Sequence, residues 1–294
     1  AQAAINTIAF NQPSQAAWPL EFLPMPRFAA NIDWLFTEVP FLQRFAHAAQ
    51  AGFGAVECMF PYAWPAQELA AQARAAGVQV VLHNLPAGDW AAGERGLACD
   101  PARVAQFRAS VQQARDYALA LGTAQLHCMA GLVPAGVPRA SAHATLVDNL
   151  RYACRVLGDA GLRVLIEPIN RFDMPGYYLE RLEQALALRE EVGEKNLAIQ
   201  LDLYHAQRTQ GELAATLAQH LAQIGHIQIA DNPGRHEPGS GEINYAYLFQ
   251  HLDRLGYSGW VGCEYRPAST TQAGLGWLHA LTDGDARVTL LGLT

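Results

Sequence analysis

The chain of 294 residues is 51% hydrophobic and 16% charged, enough apolar material for a sizeable core and too much for a disordered, collagen-like or coiled-coil chain. Twenty basic against 27 acidic residues give a net charge of −7 with histidine neutral, which argues against a general nucleic-acid or anionic-membrane surface. Lys195 is the single lysine, so Schiff-base chemistry would rest on one residue. Five cysteines (Cys58, Cys99, Cys128, Cys154, Cys263) form no Cys-x-x-Cys pair and read as reduced thiols of a cytoplasmic protein. No apolar run approaches the ~18 residues of a membrane span. Residues 1–24 carry one charge, Glu21, and no basic n-region; they read as an extension outside the fold, with a barrel domain and tail over residues 25–294.

From Arg27 onward the chain alternates short apolar β-rich runs with longer helical stretches. The runs are Arg27–Asn31, Gly54–Met59, Val78–Asn84, Ala124–Met129, Arg163–Glu167, Leu197–Asp202, His226–Ile229 and Trp260–Glu264. Between them, Asp100-Pro101 fits a helix N-cap followed by proline at the first helical position. Gly77, Gly122, Gly161, Gly193 and Gly256 stand where helices should stop. Phe41 to Gln50 and Val104 to Leu121 place apolar residues at helical spacing. Eight such units predict parallel strands with helical crossovers, closing into a single-domain (β/α)8 barrel of the α/β class. The rival is an open doubly wound sheet. It would want a glycine-rich turn after the first strand, where Asn31-Ile32-Asp33-Trp34 stands instead.

In such a barrel, chemistry gathers at the C-terminal ends of the strands. The fifth run ends on Glu167, the sixth on Asp202 and the eighth on Glu264, while the seventh carries Gln228. One acid after a strand is usually a helix N-cap or a solvated loop residue. Four oxygen-bearing side chains on consecutive strands are harder to dismiss, because three carboxylates in a dry mouth repel unless a cation sits among them. All-oxygen ligands favour a hard divalent ion, Mg²⁺ first and Mn²⁺ second, over zinc.

These residues, with the loops around them, resemble the hydroxypyruvate isomerase family within the xylose-isomerase-like TIM barrels. The resemblance runs from Met25 to about Trp277 and includes the stretch His83 to Gly96, Glu167-Pro168-Ile169-Asn170, Gln228 to Pro233 and Gly241 to Tyr245. It implies interconversion of hydroxypyruvate and 2-hydroxy-3-oxopropanoate. Glu167 and Glu264 would then be the acid–base pair as well as metal ligands, and Asp202 and Gln228 ligands alone. The cation would polarise the carbonyl and stabilise the enediolate. Relatives often pair, which makes a homo-oligomer the expected assembly; the expected partner is a small hydroxy or oxo acid, with neither nucleic acid nor membrane.

His205, three residues after Asp202, is placed by the resemblance near the substrate oxygens; its plainer reading is a capping or packing histidine. Arg235 offers a bidentate clamp for a substrate carboxylate, against a surface salt bridge. Arg95 is a second anchor, on a glycine-punctuated loop over Asp89 to Arg95 that could cover the mouth. His83 ends the third run and reads equally as a site residue or a satisfied core histidine. Glu57, in the second run, is expected to hydrogen-bond a neighbouring ligand or His83 rather than to touch metal.

Two other chemistries use related sites. Sugar epimerases share the two glutamates and the cation but mostly take histidine where this chain has Gln228. Abasic-site nucleases share the barrel but need a histidine-rich zinc cluster. A silent binder of small acids would be expected to have lost a glutamate. Within the isomerases, the His83-to-Gly96 loop favours hydroxypyruvate, whereas Met25 to Asn31 and Phe36 to Pro40 resemble the branch acting on 2-oxotetronates.

Overall fold

A computed structural model describes residues 26–282; the extension expected over residues 1–24 and the tail beyond residue 282 lie outside the described residues. All eight runs become strands of one closed parallel barrel: β1 Arg27–Asn31, β2 Ala55–Cys58, β3 Gln79–Asn84, β4 Gln125–His127, β5 Arg163–Ile166, β6 Leu197–Asp202, β7 Ile224–Ile229 and β8 Trp260–Cys263. β8 pairs back onto β1 with Phe28 opposite Val261, so no strand edge is left and the open-sheet alternative falls. Helices α1 Arg44–Gln50, α2 Ala66–Ala76, α3 Val104–Leu121, α4 Arg139–Gly158, α5 Leu182–Val192, α6 Leu203–Thr209, α7 Leu213–His220, α8 Tyr245–Arg254 and α9 Gly276–Thr282 form the outer layer.

Local chemistry explains the element ends. Asp100 accepts a hydrogen bond from the Ala102 N–H at 2.9 Å and opens the turn that leads into α3. Gly122 ends that helix at φ 70, in the left-handed region. Strands buried on both faces need no polar alternation, and Val164, Leu165 and Ile166 of β5 are all fully buried. α8 buries Tyr245, Leu248, Phe249 and Leu252, a three–four spacing that makes one apolar stripe. Phe249 meets Phe28 of β1 edge-on at 5.1 Å.

Inside the barrel, Trp260 packs on Ala29, Ala55 and Val81, and the Arg27 guanidinium lies 4.7 Å over its indole ring. This fills the N-terminal end and leaves the C-terminal end to the site. The five cysteines are buried and free of disulfides. Among the described residues, no helix is long and apolar enough to cross a membrane.

Candidate active site

A cavity of ≈ 590 Å³ opens at the C-terminal end of the barrel, lined by Glu57, His127, Glu167, Gln200, His205, Gln228, Arg235 and Glu264 among others. Glu167 follows β5 directly, Gln228 lies in β7 and Glu264 follows β8, where its N–H donates to the Ile229 carbonyl at 3.1 Å. Asp202 ends β6 and serves twice. Its Oδ1 caps α6 by accepting from the Tyr204 N–H at 2.9 Å, while its Oδ2 lies 2.9 Å from the Arg235 guanidinium in the cavity wall. The same acid thus caps a helix and bonds a guanidinium of the cavity wall.

The four expected ligands fall into two hydrogen-bonded pairs. Arg235 Nη2 donates to Asp202 and, at 3.0 Å, to Glu264 Oε2. Gln200 Nε2 donates to Glu167 Oε2 at 3.0 Å and to Gln228 Oε1 at 2.6 Å. Burial, together with the charges of Glu264 and Asp202, pushes the Glu167 carboxyl well above the ordinary carboxylate range. Burial likewise raises Asp202, and pushes Glu264 up to about 8 although the Arg235 charge opposes it. Three acids that each resist ionisation stand around Arg235, whose guanidinium bonds two of them, an electrostatic condition that a divalent cation would relieve.

Hydrogen-bond polarity separates ligands from donors. The Asn170 oxygen accepts from the N–H groups of Phe172 and Asp173, both at 3.0 Å, so its NH₂ faces His205 Nδ1 at 2.7 Å. His205 Nδ1 is then an acceptor and the neutral ring carries its hydrogen on Nε2. That Nε2 lies 3.7 Å from Glu167 Oε1 and 3.6 Å from Asp202 Oδ2. Ligand atoms of Glu167, Asp202 and His205 fall within 4.8 Å of one another, yet an Nε2–H cannot ligate. Burial and the Arg235 charge hold the ring well below the usual histidine range, so it stays a neutral donor. Gln228 is the reverse case: its NH₂ is spent on Glu57 Oε1 at 2.7 Å, leaving its oxygen on the Gln200 and Glu167 side. Glu167 Oε1 is buried without a hydrogen-bond partner. The acceptor set of Glu167, Asp202, Gln228 and Glu264 fits a hard cation.

Two candidates sit differently from the rim acids. His83 does not reach the cavity: its ring packs edge-on to Tyr62, with Nδ1 3.2 Å from the Tyr62 hydroxyl, and its strand neighbours Leu82 and Asn84 line the wall instead. Past the register shift that pairs Glu57 with Leu82, alternation turns His83 to the face opposite Leu82 and Asn84. Arg235 lines the cavity, with its Nη2 bonded to Asp202 and Glu264 and its Nε to the Glu264 carbonyl. It lies over the rings of Trp34 and Tyr204, at 4.8 and 5.0 Å.

Arg95 lines the cavity with its guanidinium 4.0 Å over the Trp90 ring, donating to the carbonyls of Trp90 and Glu94. Its loop is anchored by Glu94, which accepts from Arg103 and from the Asp89 N–H, and by Trp90, whose ring centroid lies 5.1 Å from that of Phe60. Glu57 accepts from Gln228 and also from His226, not from His83.

Sequence reasoning missed His127 and Gln200. His127 closes β4, two residues before the expected end at Met129, and its Nε2 is buried without a partner 3.6 Å from Glu167 Oε2. Gln200 stands two residues before Asp202 and shares its inward face, so period-two alternation was the available signal.

Fold and site together define a parallel α/β barrel with a carboxylate-rich site at its C-terminal mouth. The xylose isomerase-like TIM barrel profile matches residues 45–281, and the chain belongs to that family. It is 54% identical to a hydroxypyruvate isomerase of Escherichia coli, over 86% of this chain and 98% of that protein. It is 52% identical to a 2-oxo-tetronate isomerase of Cupriavidus necator over the same shares. A crystal structure titled AP endonuclease, family 2, from Brucella melitensis superposes with a TM-score of 0.85 at 47% identity, covering 87% of this chain and 98% of that one.

Proposed function

We propose that the chain interconverts hydroxypyruvate and 2-hydroxy-3-oxopropanoate with a divalent cation, Mg²⁺ before Mn²⁺, held by Glu167, Asp202, Gln228 and Glu264. The observation that carries this reading is the cavity lined by Glu167, Gln228 and Glu264, with Asp202 held against it by Arg235, in a chain 54% identical to a hydroxypyruvate isomerase. When bound, the cation supplies Lewis-acid polarisation of the substrate carbonyl.

The chain's own residues do the rest. Of Glu167 and Glu264, one takes a proton from the hydroxymethyl carbon and the other returns a proton to the neighbouring carbon. The hydroxyl proton passes to the former carbonyl oxygen, so the product has the same atoms and charge as the substrate. Both glutamates are buried at the cavity, which keeps their protons from exchanging freely with bulk water. His205 Nε2–H donates to the oxygen that becomes negative between the two steps. The substrate carboxylate goes to Arg95, whose guanidinium has no carboxylate partner among the described residues. The cavity also admits the four-carbon acid of the 2-oxo-tetronate isomerases, which stand at 52% identity, and that substrate is the second reading.

A nuclease activity does not suit this chain, since a single lysine and a net charge of −7 oppose a nucleic-acid groove. Buried free thiols suit a cytoplasmic setting, and we propose a homo-oligomer there. The deciding experiment is turnover of metal-stripped protein on hydroxypyruvate and on a 2-oxotetronate, with and without Mg²⁺, the aldehyde being followed through a coupled reductase. Cation-dependent aldehyde formation supports the reading and ranks the substrates; no turnover of either acid, with cation bound, removes it.

A further inference from the structure

Beneath the rim, Glu57 accepts from three donors, two of which are oriented by further contacts. The Asn31 oxygen accepts from the Asp33 N–H at 3.1 Å, so its NH₂ faces Glu57 Oε1 at 3.1 Å. Gln125 Nε2 lies 3.2 Å from His226 Nδ1, which makes that nitrogen the acceptor and sends Nε2–H to Glu57 Oε2 at 2.7 Å. The third donor is Gln228 Nε2, at 2.7 Å from Glu57 Oε1. Room for this carboxylate comes from β8. A Cβ at Gly262 would stand 2.3 Å from Glu57 Oε2 and 2.5 Å from Oε1, so any side chain there would displace the acid.

An ionised carboxylate accepts and never donates, whereas a primary amide offers either end. We infer that Glu57 is a positioning residue that sets the rotation of the Gln228 amide: by taking its NH₂, Glu57 turns the Gln228 oxygen toward Glu167, and Gly262 is the space that lets it do so. The inference rests on the cation reading of the rim proposed above. Gln200 transmits the same polarity outward, because its NH₂ bridges Gln228 Oε1 and Glu167 Oε2. With glutamine at 57, both ends of that side chain compete and the 228 amide loses its preferred rotation, placing NH₂ against the cation in part of the population.

The test is Mn²⁺ binding to the metal-stripped full chain by calorimetry, in a cycle of E57Q, Q228A and the double variant. Outer-sphere partners of ligands typically contribute about 10- to 100-fold in metal affinity. We expect a loss of that size for E57Q in the parent chain and little further loss in the Q228A background, where no amide is left to turn. An equal loss in both backgrounds would show Glu57 acting by its charge alone and overturn the inference, as would parent-like binding by E57Q. If E57Q does not fold, Q228E and the reciprocal E57Q/Q228E pair replace it. The pair restores a donor at 57 and an acceptor at 228, and must bind Mn²⁺ more tightly than Q228E; equal or weaker binding overturns the inference. A parent chain that takes up no Mn²⁺ would instead remove the cation reading itself.

Discussion

The NH₂ of Asn170 lies 2.7 Å from His205 Nδ1, and this contact puts the His205 hydrogen on the nitrogen that faces the carboxylates. Asn170→Ala frees the ring to take either tautomer. We expect kcat/KM on hydroxypyruvate to fall about 10- to 100-fold, with cation affinity nearly unchanged because Asn170 touches no proposed ligand. Steady-state kinetics beside Mn²⁺ titration checks this; an equal loss in cation affinity would place His205 among the ligands.

Glu264→Gln keeps the shape and removes the proton carrier. Turnover should fall by about two to four orders of magnitude, the usual contribution of a positioned acid or base. Far-UV circular dichroism should stay that of the parent. Near-normal turnover would falsify the acid–base assignment.

Arg95 and Arg235 are predicted to separate in their kinetics. Arg95→Met removes the uncommitted guanidinium, so KM for the acid should rise about tenfold or more, the worth of a hydrogen bond to a charged group, with kcat held. Arg235→Met instead leaves Asp202 and Glu264 without their guanidinium partner. Its signature is a lower melting temperature in the metal-stripped protein that Mg²⁺ restores. KM effects of equal size would merge the two roles.

Stability of the metal-stripped chain should depend on pH with a definite sign. Glu264 is raised in the fold from 4.5 to about 8, so its contribution is fully present below pH 4.5 and is lost as pH climbs to 8. His127 is pushed down from 6.5 to about 3 by burial and opposes this only below pH 6.5. Between pH 6.5 and 8 the carboxyls therefore dominate, and stability should drop by on the order of 2 kcal/mol for Glu264 alone. Melting curves across that window check it, and saturating Mg²⁺ should flatten the slope. A rise in melting temperature over the same window would contradict the burial-driven shift.

The barrel was legible because its signals are local. Continuous apolar runs such as Val164-Leu165-Ile166, caps such as Asp100 and stops such as Gly122 each follow from a few neighbouring residues. Eight repetitions leave few topologies open. The rim acids were legible for a related reason: a strand end is a position in sequence, and in a parallel barrel every strand ends on the same side.

What the chain could not disclose is orientation. His83 sits at a strand end like the others, but which of two neighbouring residues faces inward depends on register, and β3 gives the cavity to Leu82 and Asn84. Arg235 reads as a clamp until the fold brings it, 33 residues on in sequence from Asp202, to 2.9 Å from that acid. The rotation of the Gln228 amide and the tautomer of His205 belong to the same class. Sequence determined which donors and acceptors the site possesses. Their direction depends on Glu57 and Asn170, 171 and 35 residues away along the chain, because a hydrogen bond's polarity is set by its partner and only closure of the barrel makes these residues partners.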